Sequence, residues 1–243
     1  MLRRLLPIVL LWLCLVGGSL FAAGFTVTVA VVDSDKKPVP NADLALFWQV
    51  KEGMNPIGDQ RAVTGDNGKA VLQVGDQDAK RAVLILSADR KLGSVLAISN
   101  LNPGVEISAQ LLPTVRVKGR LECKELNSKP EWANTMVTPD GFDNPIAQNM
   151  GASAQFDFTL PAGKYDFRSY GSDVMDRKQS VTLPAGRLEY DFGTVDLKPS
   201  AIAKLKGKTA PGWDVTAARG IKPKAKLADF RGKWLYLEFW GFW

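Results

Sequence analysis

Residues 115–121 read Val115-Arg116-Val117-Lys118-Gly119-Arg120-Leu121, and this alternation of apolar and polar side chains decides the fold class. A period of two places the two sets of side chains on opposite faces of a β-strand. Residues 25–31, 156–160 and 188–192 alternate in the same way, whereas no long segment has the period of a helix. The chain is therefore predicted to be mainly β.

Glycine and proline divide the strands at regular intervals. The motif Thr159-Leu160-Pro161-Ala162-Gly163 recurs at residues 182–186, and each copy is predicted to close a strand with a Pro-Ala-Gly turn. Asn67-Gly68 predicts a tight hairpin turn, because this pair supplies the positive φ that such a turn needs. The strand pattern begins again after Leu112-Pro113. Short strands at this spacing predict two small β-sandwich modules, residues 25–112 and 113–198.

The first 24 residues have the layout of a secretory signal peptide. Arg3 and Arg4 precede an apolar run over residues 5–22, and Ala22-Ala23-Gly24 offers a small-residue cleavage site. An uncleaved membrane anchor is the alternative. We favour cleavage, because the run is short for a membrane span and is broken by Gly17-Gly18. In either case the rest of the chain is expected outside the cytoplasm, in the periplasm or cell envelope or secreted.

Composition excludes several classes of protein. Apolar residues make up 46% of the 243 residues and charged residues 23%, which is typical of a globular chain rather than a disordered one. The absence of histidine excludes Ser-His-Asp and Cys-His catalysis and every zinc site that needs imidazole. The two cysteines, Cys14 and Cys123, cannot build a disulfide framework, and removal of the leader leaves Cys123 alone. We expect Cys123 to be a buried, unreactive thiol.

The first module resembles a known family of small sandwiches. Val31-Val32-Asp33, the segment Pro38-Val39-Pro40-Asn41-Ala42 and the turn at residues 64–70 are similar to the carboxypeptidase regulatory-like domain, a transthyretin-like or CnaB-like fold. The second module resembles it more loosely, mainly through residues 160–165. The resemblance implies spacers or binding modules without catalysis, although a fold alone does not establish a function.

Charge is concentrated near the C-terminus. Residues 25–197 contain 19 basic and 22 acidic side chains, which gives a net charge of −3. Residues 198–233 contain 10 basic and 2 acidic side chains, which gives a net charge of +8. One interpretation is a site for an anionic partner. The other, which we favour for an exported protein, is a solvated linker and loop. No nucleic-acid partner is expected.

Residues 199–243 resemble the beginning of a redoxin domain. The segments 205–213, Leu227-Ala228-Asp229-Phe230-Arg231-Gly232-Lys233 and 234–243 are similar, in this order, to the opening motifs of the TlpA-like and AhpC/TSA-like branch of the thioredoxin fold. The resemblance implies an incomplete thioredoxin-like α/β stub. It also implies a parent function of extracytoplasmic thiol–disulfide oxidoreductase or peroxidase-like chemistry, with a redox partner protein of unknown identity.

In the redoxin family a Cys-x-x-Cys motif follows the position of Trp243. The chain as printed is therefore expected to be inactive in dithiol exchange, because both sulfur atoms would lie beyond residue 243. Three explanations are open at this stage: a fragment or frameshift, a nonsense codon, or a UGA codon translated as selenocysteine. Within the printed chain we predict no catalytic, cofactor-binding or metal-binding residues and no cofactor. Membrane contact is predicted only through an uncleaved leader.

The competing hypothesis is a non-enzymatic envelope or binding protein built from the two sandwich modules. It treats the sandwiches as the functional part of the protein and residues 199–243 as vestigial.

Export is the first testable prediction. The basic start and the short apolar run should direct the chain out of the cytoplasm and yield a mature N-terminus near Phe25. N-terminal sequencing of the exported protein measures this directly. A protein that retains Met1 and fractionates with membranes would support the anchor instead.

Overall fold

Short β-strands dominate the computed structural model, which describes residues 25–45, 49–51, 55–57, 61–74, 81–99, 101–151, 154–213, 219–222, 224–236 and 238. The predicted mainly β fold class is confirmed. In the first half of the chain the strands are β1 (Phe25–Val32), β2 (Asp43–Ala45), β3 (Gln49–Lys51), β4 (Asn55–Ile57), β5 (Arg61–Val63), β6 (Lys69–Val74), β7 (Ala82–Leu86), β8 (Leu92–Ala97) and β9 (Glu106–Gln110).

The second half continues in the same manner. Its strands are β10 (Leu112–Glu122), β11 (Ala133–Pro139), β12 (Ala147–Gly151), β13 (Gln155–Pro161), β14 (Gly163–Gly171), β15 (Arg177–Leu183) and β16 (Glu189–Asp196). The described helical segments are short: α1 (Ala201–Leu205) and 3₁₀ turns at Lys124–Leu126 and Leu227–Phe230.

The N-terminal sandwich consists of one sheet in the order β6-β1-β9 and a second wall in the order β5-β2-β7-β8. β1 pairs antiparallel with β6 and parallel with β9. The inward positions of β1 alternate as the sequence predicts, with Val27, Val29 and Val31 buried. These valines pack in one core with residues of β6, β2 and one face of β7, including Leu72, Val74, Leu44, Val83 and Ile85.

The C-terminal sandwich consists of the strands β13-β10-β16 and a four-stranded sheet in the order β12-β11-β14-β15. β10 pairs antiparallel with β13 and parallel with β16. Its inward residues Val115, Val117 and Leu121 are buried against aromatic side chains from the neighbouring strands, namely Phe156, Phe158, Tyr165 and Phe167.

β10 runs without a break from one sandwich into the other. Its first two residues, Leu112 and Pro113, pair with β8, and the strand then pairs with β13 and β16. Proline is tolerated at the start of a strand, where its missing N–H removes little from the ladder. The predicted boundary between residues 112 and 113 thus lies inside a strand of a seven-stranded sheet that extends across both sandwiches.

The turn at Asn67-Gly68 is tight, but it is a corner between sheets rather than a hairpin. Gly68 has a φ of 70°, and a Cβ there would lie 2.8 Å from the carbonyl oxygen of Val31. β5, which precedes the turn, pairs with β2, whereas β6 pairs with β1. The expectation that residues 70–74 pair back onto the preceding strand is therefore wrong, because the same local turn chemistry also serves a change of sheet.

Both Pro-Ala-Gly turns also connect the two sheets of the C-terminal sandwich. The first leads from β13 to β14, and the second leads from β15 back to β16. After the first turn, Tyr165 is buried and its hydroxyl donates a 2.8 Å hydrogen bond to the carbonyl oxygen of Pro161. Burial raises the pKa of this phenol, so Tyr165 is a neutral part of the core.

Gly119 occupies an inward position of β10 where no side chain fits. A Cβ there would lie 2.4 Å from the ring of Phe156 and 3.0 Å from Cβ of Phe192. Phe156 is the residue directly opposite on β13, so its ring covers the glycine. The missing side chain thus makes room for an aromatic cluster of Phe156, Phe158, Phe167 and Phe192.

The chain divides into two compact units, Met1–Lys198 and Pro199–Trp243. Within the second unit, α1 begins at Ser200, whose hydroxyl accepts a 3.1 Å hydrogen bond from the backbone N–H of Ala203. None of the described helices has the length and apolar character needed to traverse a bilayer. The predicted signal peptide lies outside the described residues.

Substitution of Gly119 by alanine should destabilise the protein. The added methyl group would overlap the packed ring of Phe156, and overpacking of this kind costs about 1–3 kcal/mol. Urea denaturation measures the loss. Gly65→Ala is the matched control, because its new Cβ would meet its nearest neighbour at an ordinary 3.7 Å. Equal effects of the two substitutions would contradict this packing argument.

Candidate functional site at the junction of the two sandwiches

β7 is buried on both faces, and this creates the junction between the sandwiches. All five of its residues are at most 3% exposed. Val83 and Ile85 belong to the core of the N-terminal sandwich, whereas Ala82, Leu84 and Leu86 belong to the core of the C-terminal sandwich. Since successive side chains of a strand point to opposite faces, one strand contributes to two cores. Movement of one sandwich against the other would expose apolar surface on β7.

Asn144 connects the two sandwiches through hydrogen bonds to β7. Its Oδ1 accepts a 2.7 Å bond from the N–H of Ala82, and its Nδ2 donates a 3.1 Å bond to the carbonyl oxygen of the same residue. Among the described residues β2 pairs with β7 from Leu84 to Leu86, and at Ala82 the amide of Asn144 pairs with the strand backbone instead. The amide orientation is fixed by this pairing, because the N–H needs an acceptor and the carbonyl needs a donor.

The start of β10 adds backbone contacts to the junction. The N–H of Thr114 donates a 2.9 Å hydrogen bond to the carbonyl oxygen of Lys91. The hydroxyl of Thr114 donates a 2.7 Å hydrogen bond to the carbonyl oxygen of Arg90. Gly93 lies between β7 and β10, and a Cβ there would come within 3.0 Å of Thr114 and of the carbonyl oxygen of Ile85. The two sandwiches are thus held together by a strand that contributes to both cores, a shared sheet and side-chain hydrogen bonds.

A groove of about 680 Å³ lies along the outer face of β13, β10 and β16. Three cations follow one another along β10, and each has an acidic partner. Arg116 pairs with Asp157 at 2.5 Å, Lys118 with Glu189 at 2.7 Å, and Arg120 with Glu122 at 2.8 Å.

These ion pairs neutralise the groove. Hydrogen bonding to Asp157 raises the pKa of Arg116, and hydrogen bonding to Glu189 raises that of Lys118, so both side chains stay charged at neutral pH. Because every cation of this row is matched, the groove presents little net charge to a ligand. The ion pairs of Arg116 and Lys118 link β10 to the neighbouring strands, and the balanced charges do not favour an anion.

The outer face of β12, β11, β14 and β15 carries two neighbouring aromatic side chains, Trp132 and Tyr170, which we call the aromatic ledge. Trp132 is 48% exposed and its ring meets Tyr170 edge-to-face at 6.2 Å, while the guanidinium of Arg168 lies 5.3 Å from the Tyr170 ring centre. Arg168 is also paired with Asp176. Beside the ledge, the buried Asn134 Oδ1 and Gln148 Oε1 have no hydrogen-bond partner among the described residues. Both oxygens are covered by protein atoms, so a surface ligand cannot reach them directly.

Cys123 lies just after the end of β10, where a bridge to Ser128 closes the 3₁₀ turn at Lys124–Leu126. It is 1% exposed and forms no disulfide within the described part of the chain. Its position inside the core of the C-terminal sandwich leaves no access for a substrate.

The redoxin-like motifs make contacts with each other inside the second unit. The ring of Trp213 meets Phe230 edge-to-face at 5.9 Å, and its Nε1 donates a 2.7 Å bond to the carbonyl oxygen of Ala225. Asp229 accepts a 2.9 Å bond from the N–H of Lys226 at the start of the 3₁₀ turn. Trp234 and Tyr236 are 103% and 85% exposed.

The basic segment forms no separate domain within this unit. Three lysines of this segment are exposed on one loop, namely Lys222, Lys224 and Lys226. Trp213 is hydrogen-bonded to the carbonyl oxygen of Ala225 in the same loop. The choice between a solvated loop and an anion site stays a prediction.

The junction had no recognisable motif in the sequence. The Asn144-Pro145 pair reads as an ordinary turn, and the partner of its side chain lies 62 residues away. The run of five apolar residues in β7 was the one available indication, since strands buried on both faces are continuously apolar. The described residues include no group of three or more metal-binding side chains, and the prediction that the chain has no catalytic, cofactor or metal site stays a prediction.

Comparison with known proteins finds similarity only among solved structures. No protein-family model matches the chain, and no curated protein matches it. The solved structures similar to it include the Bacillus anthracis TIE protein, at a TM-score of 0.33 and 12% identity over 72% of this chain and 34% of that one. The chain thus spans about a third of the length of the TIE chain.

Two pilins are similar to the same extent. The Streptococcal ancillary pilin has a TM-score of 0.33 and 14% identity over 73% of this chain and 63% of that one. GBS52, the minor pilin of Streptococcus agalactiae, has a TM-score of 0.31 and 12% identity over 72% and 96%. At these TM-scores the similarities do not bear on function.

Asn144→Ala should weaken the junction. The substitution leaves the buried N–H and carbonyl of Ala82 unpaired, which costs about 1–3 kcal/mol in unfolding free energy. The amide of Ala82 should also exchange with deuterium faster, as NMR would show. Asn67→Ala, at an exposed turn, is the control and should cost less. Unchanged protection of Ala82 would contradict the role assigned to Asn144.

Proposed function

We propose that the protein is a non-enzymatic component of the cell envelope whose two β-sandwiches act together as one stiff spacer. The observation that carries this proposal is the burial of β7 on both faces, because this one strand contributes side chains to the cores of both sandwiches. A flexible pair of binding modules would need a polar, extended linker between them. Here a single residue, Leu111, separates β9 from β10, and it is 1% exposed.

The energy of the junction supports a stiff connection. Leu84 and Leu86 are buried against the C-terminal sandwich, and truncation of a buried leucine costs about 2–5 kcal/mol. The hydrogen bonds of Asn144 and Thr114 add to this. A hinge motion would break these contacts together, so the two sandwiches should keep one relative orientation in solution.

The stiffness can be measured with pairs of spin labels. Val71→Cys on β6 and Lys178→Cys on β15 place one label on each sandwich at exposed positions, and Cys123 is too buried to be labelled. Electron–electron double resonance should give a narrow distance distribution. The control pair, Lys178→Cys with Leu188→Cys, lies within the C-terminal sandwich and should give the same width.

A junction variant completes the test. Leu84→Ala combined with Asn144→Ala should broaden the distribution between sandwiches and leave the control pair unchanged. A wild-type distribution between sandwiches that is broad or has several maxima would overturn the spacer proposal.

A second candidate concerns residues 199–243, which we propose to be the opening part of a redoxin domain. It is supported by the edge-to-face contact between Trp213 and Phe230, which lie in two of the redoxin-like motifs. The complete gene product should then reduce insulin disulfides if it contains the Cys-x-x-Cys or its selenocysteine equivalent. A complete gene product without such a motif would leave the spacer as the sole function.

A further inference from the structure

In each sandwich the first and the last strand are paired side by side and run parallel. In the N-terminal sandwich β1 pairs with β9 from Thr28↔Glu106 to Val32↔Gln110. In the C-terminal sandwich β10 pairs with β16 from Arg116↔Glu189 to Glu122↔Asp196. We call these the terminal parallel pairs. The chain enters each sandwich at the beginning of one member and leaves at the end of the other.

This arrangement determines how the sandwiches respond to tension. Pulling the chain ends apart moves the two strands of a parallel pair along each other in opposite directions. All hydrogen bonds between them are then loaded at the same time, in shear. In an antiparallel hairpin pulled at its open end, the bonds are instead loaded and broken one after another. We propose that residues 25–198 are a force-bearing tether in which the terminal parallel pairs resist extension, an inference that rests on the proposed spacer function.

The two pairs lie in series. Leu111 alone separates the end of β9 from the beginning of β10, and its N–H donates a 2.8 Å hydrogen bond to the carbonyl oxygen of Val32. Tension leaving the first pair therefore passes directly into the second. No extensible linker lies between them that could take up the load.

Additional bonds lie at the ends of the terminal parallel pairs, where sliding would begin. At the first pair, the N–H of Thr28 donates to the carbonyl oxygen of Val105 at 3.0 Å. At the second pair, the N–H of Leu197 donates to the carbonyl oxygen of Glu122 at 2.7 Å, and Asp196 Oδ1 accepts from the N–H of Lys124 at 3.0 Å.

Side chains also cross the second pair. Lys118 Nζ lies 2.7 Å from Glu189 and 3.6 Å from Asp191, and Arg120 donates to the hydroxyl of Thr194 at 3.0 Å. These cross-strand contacts oppose sliding of β16 along β10. They also give the ion-paired groove a role, because they reinforce the strand pair that tension loads.

Single-molecule force spectroscopy on the full chain tests the proposal through the direction of pulling. Handles on Thr26→Cys and Lys198→Cys, both exposed, load the terminal parallel pairs in shear. Handles on Lys164→Cys and Thr182→Cys, which are opposite each other at the open end of the β14–β15 hairpin, unzip an antiparallel pair. The fold and its thermodynamic stability are the same in both cases, so only the loading direction differs.

Unfolding in the shear direction should require a severalfold higher force than unzipping at the same loading rate, because forced unfolding reflects the barrier along the pulling direction. Equal forces, or a lower force in shear, would overturn the proposal. The spin-label distances are independent of this outcome, so a stiff spacer without mechanical resistance is distinguishable from a failed spacer. Matching melting temperatures of the two cysteine variants verify that both are folded.

Lys118→Met provides a second measurement within the same assay. Loss of its contacts with Glu189 and Asp191 should lower the shear force and leave the unzipping force at Lys164 and Thr182 unchanged. Arg168→Met, which removes an ion pair outside the terminal parallel pairs, is the matched control. An equal effect of both substitutions on the shear force would contradict a specific role of the β10–β16 pair.

Discussion

The two-sided burial of β7 is the constraint on which the architecture depends. An antiparallel strand at the surface of a sandwich usually has one solvent-exposed face, so that apolar and polar residues alternate along its sequence. β7 has none, because Ala82, Leu84 and Leu86 are covered by the C-terminal sandwich. The N-terminal sandwich therefore leaves an apolar face uncovered unless its neighbour is present. This makes the pair of sandwiches, rather than either one, the unit that is expected to fold.

The sequence predicted which segments form strands far better than it predicted how they pair. The alternation at residues 115–121 correctly places Val115 and Val117 inside and Arg116 and Lys118 outside, because a period of two is a local property. It contains no information about whether the neighbour is parallel or antiparallel. The parallel pairing of β10 with β16 joins residues about 70 positions apart, and the junction bond of Asn144 spans 62. Such contacts are set by the closure of two cores, not by any local motif.

The repeated Pro-Ala-Gly turns show the same limit within one sandwich. Both copies turn the chain from one sheet to the other, as their identical residues suggest. Yet the residue two positions after the glycine is the buried Tyr165 in the first copy and Leu188, 77% exposed, in the second. The first turn leads to β14, which is an inner strand of the four-stranded sheet. The second turn leads to β16, which pairs with β10 in the other sheet. Burial is thus decided by the position of the following strand in its sheet. The backbone also differs between the copies, since Gly163 has a φ of 159° and Gly186 a φ of 78°.

The same distinction applies to mechanical behaviour. Stability against denaturant depends on the total area and number of bonds lost, whichever strands contribute them. Resistance to tension depends on which strands hold the chain ends and on their direction. Both sandwiches have their entering and leaving strands adjacent and parallel, and Leu111 joins them without slack. A sheet of the same composition with antiparallel terminal strands would have a similar free energy of unfolding but would open strand by strand under load. The order of the strands therefore adds a property that neither the composition nor the core packing implies.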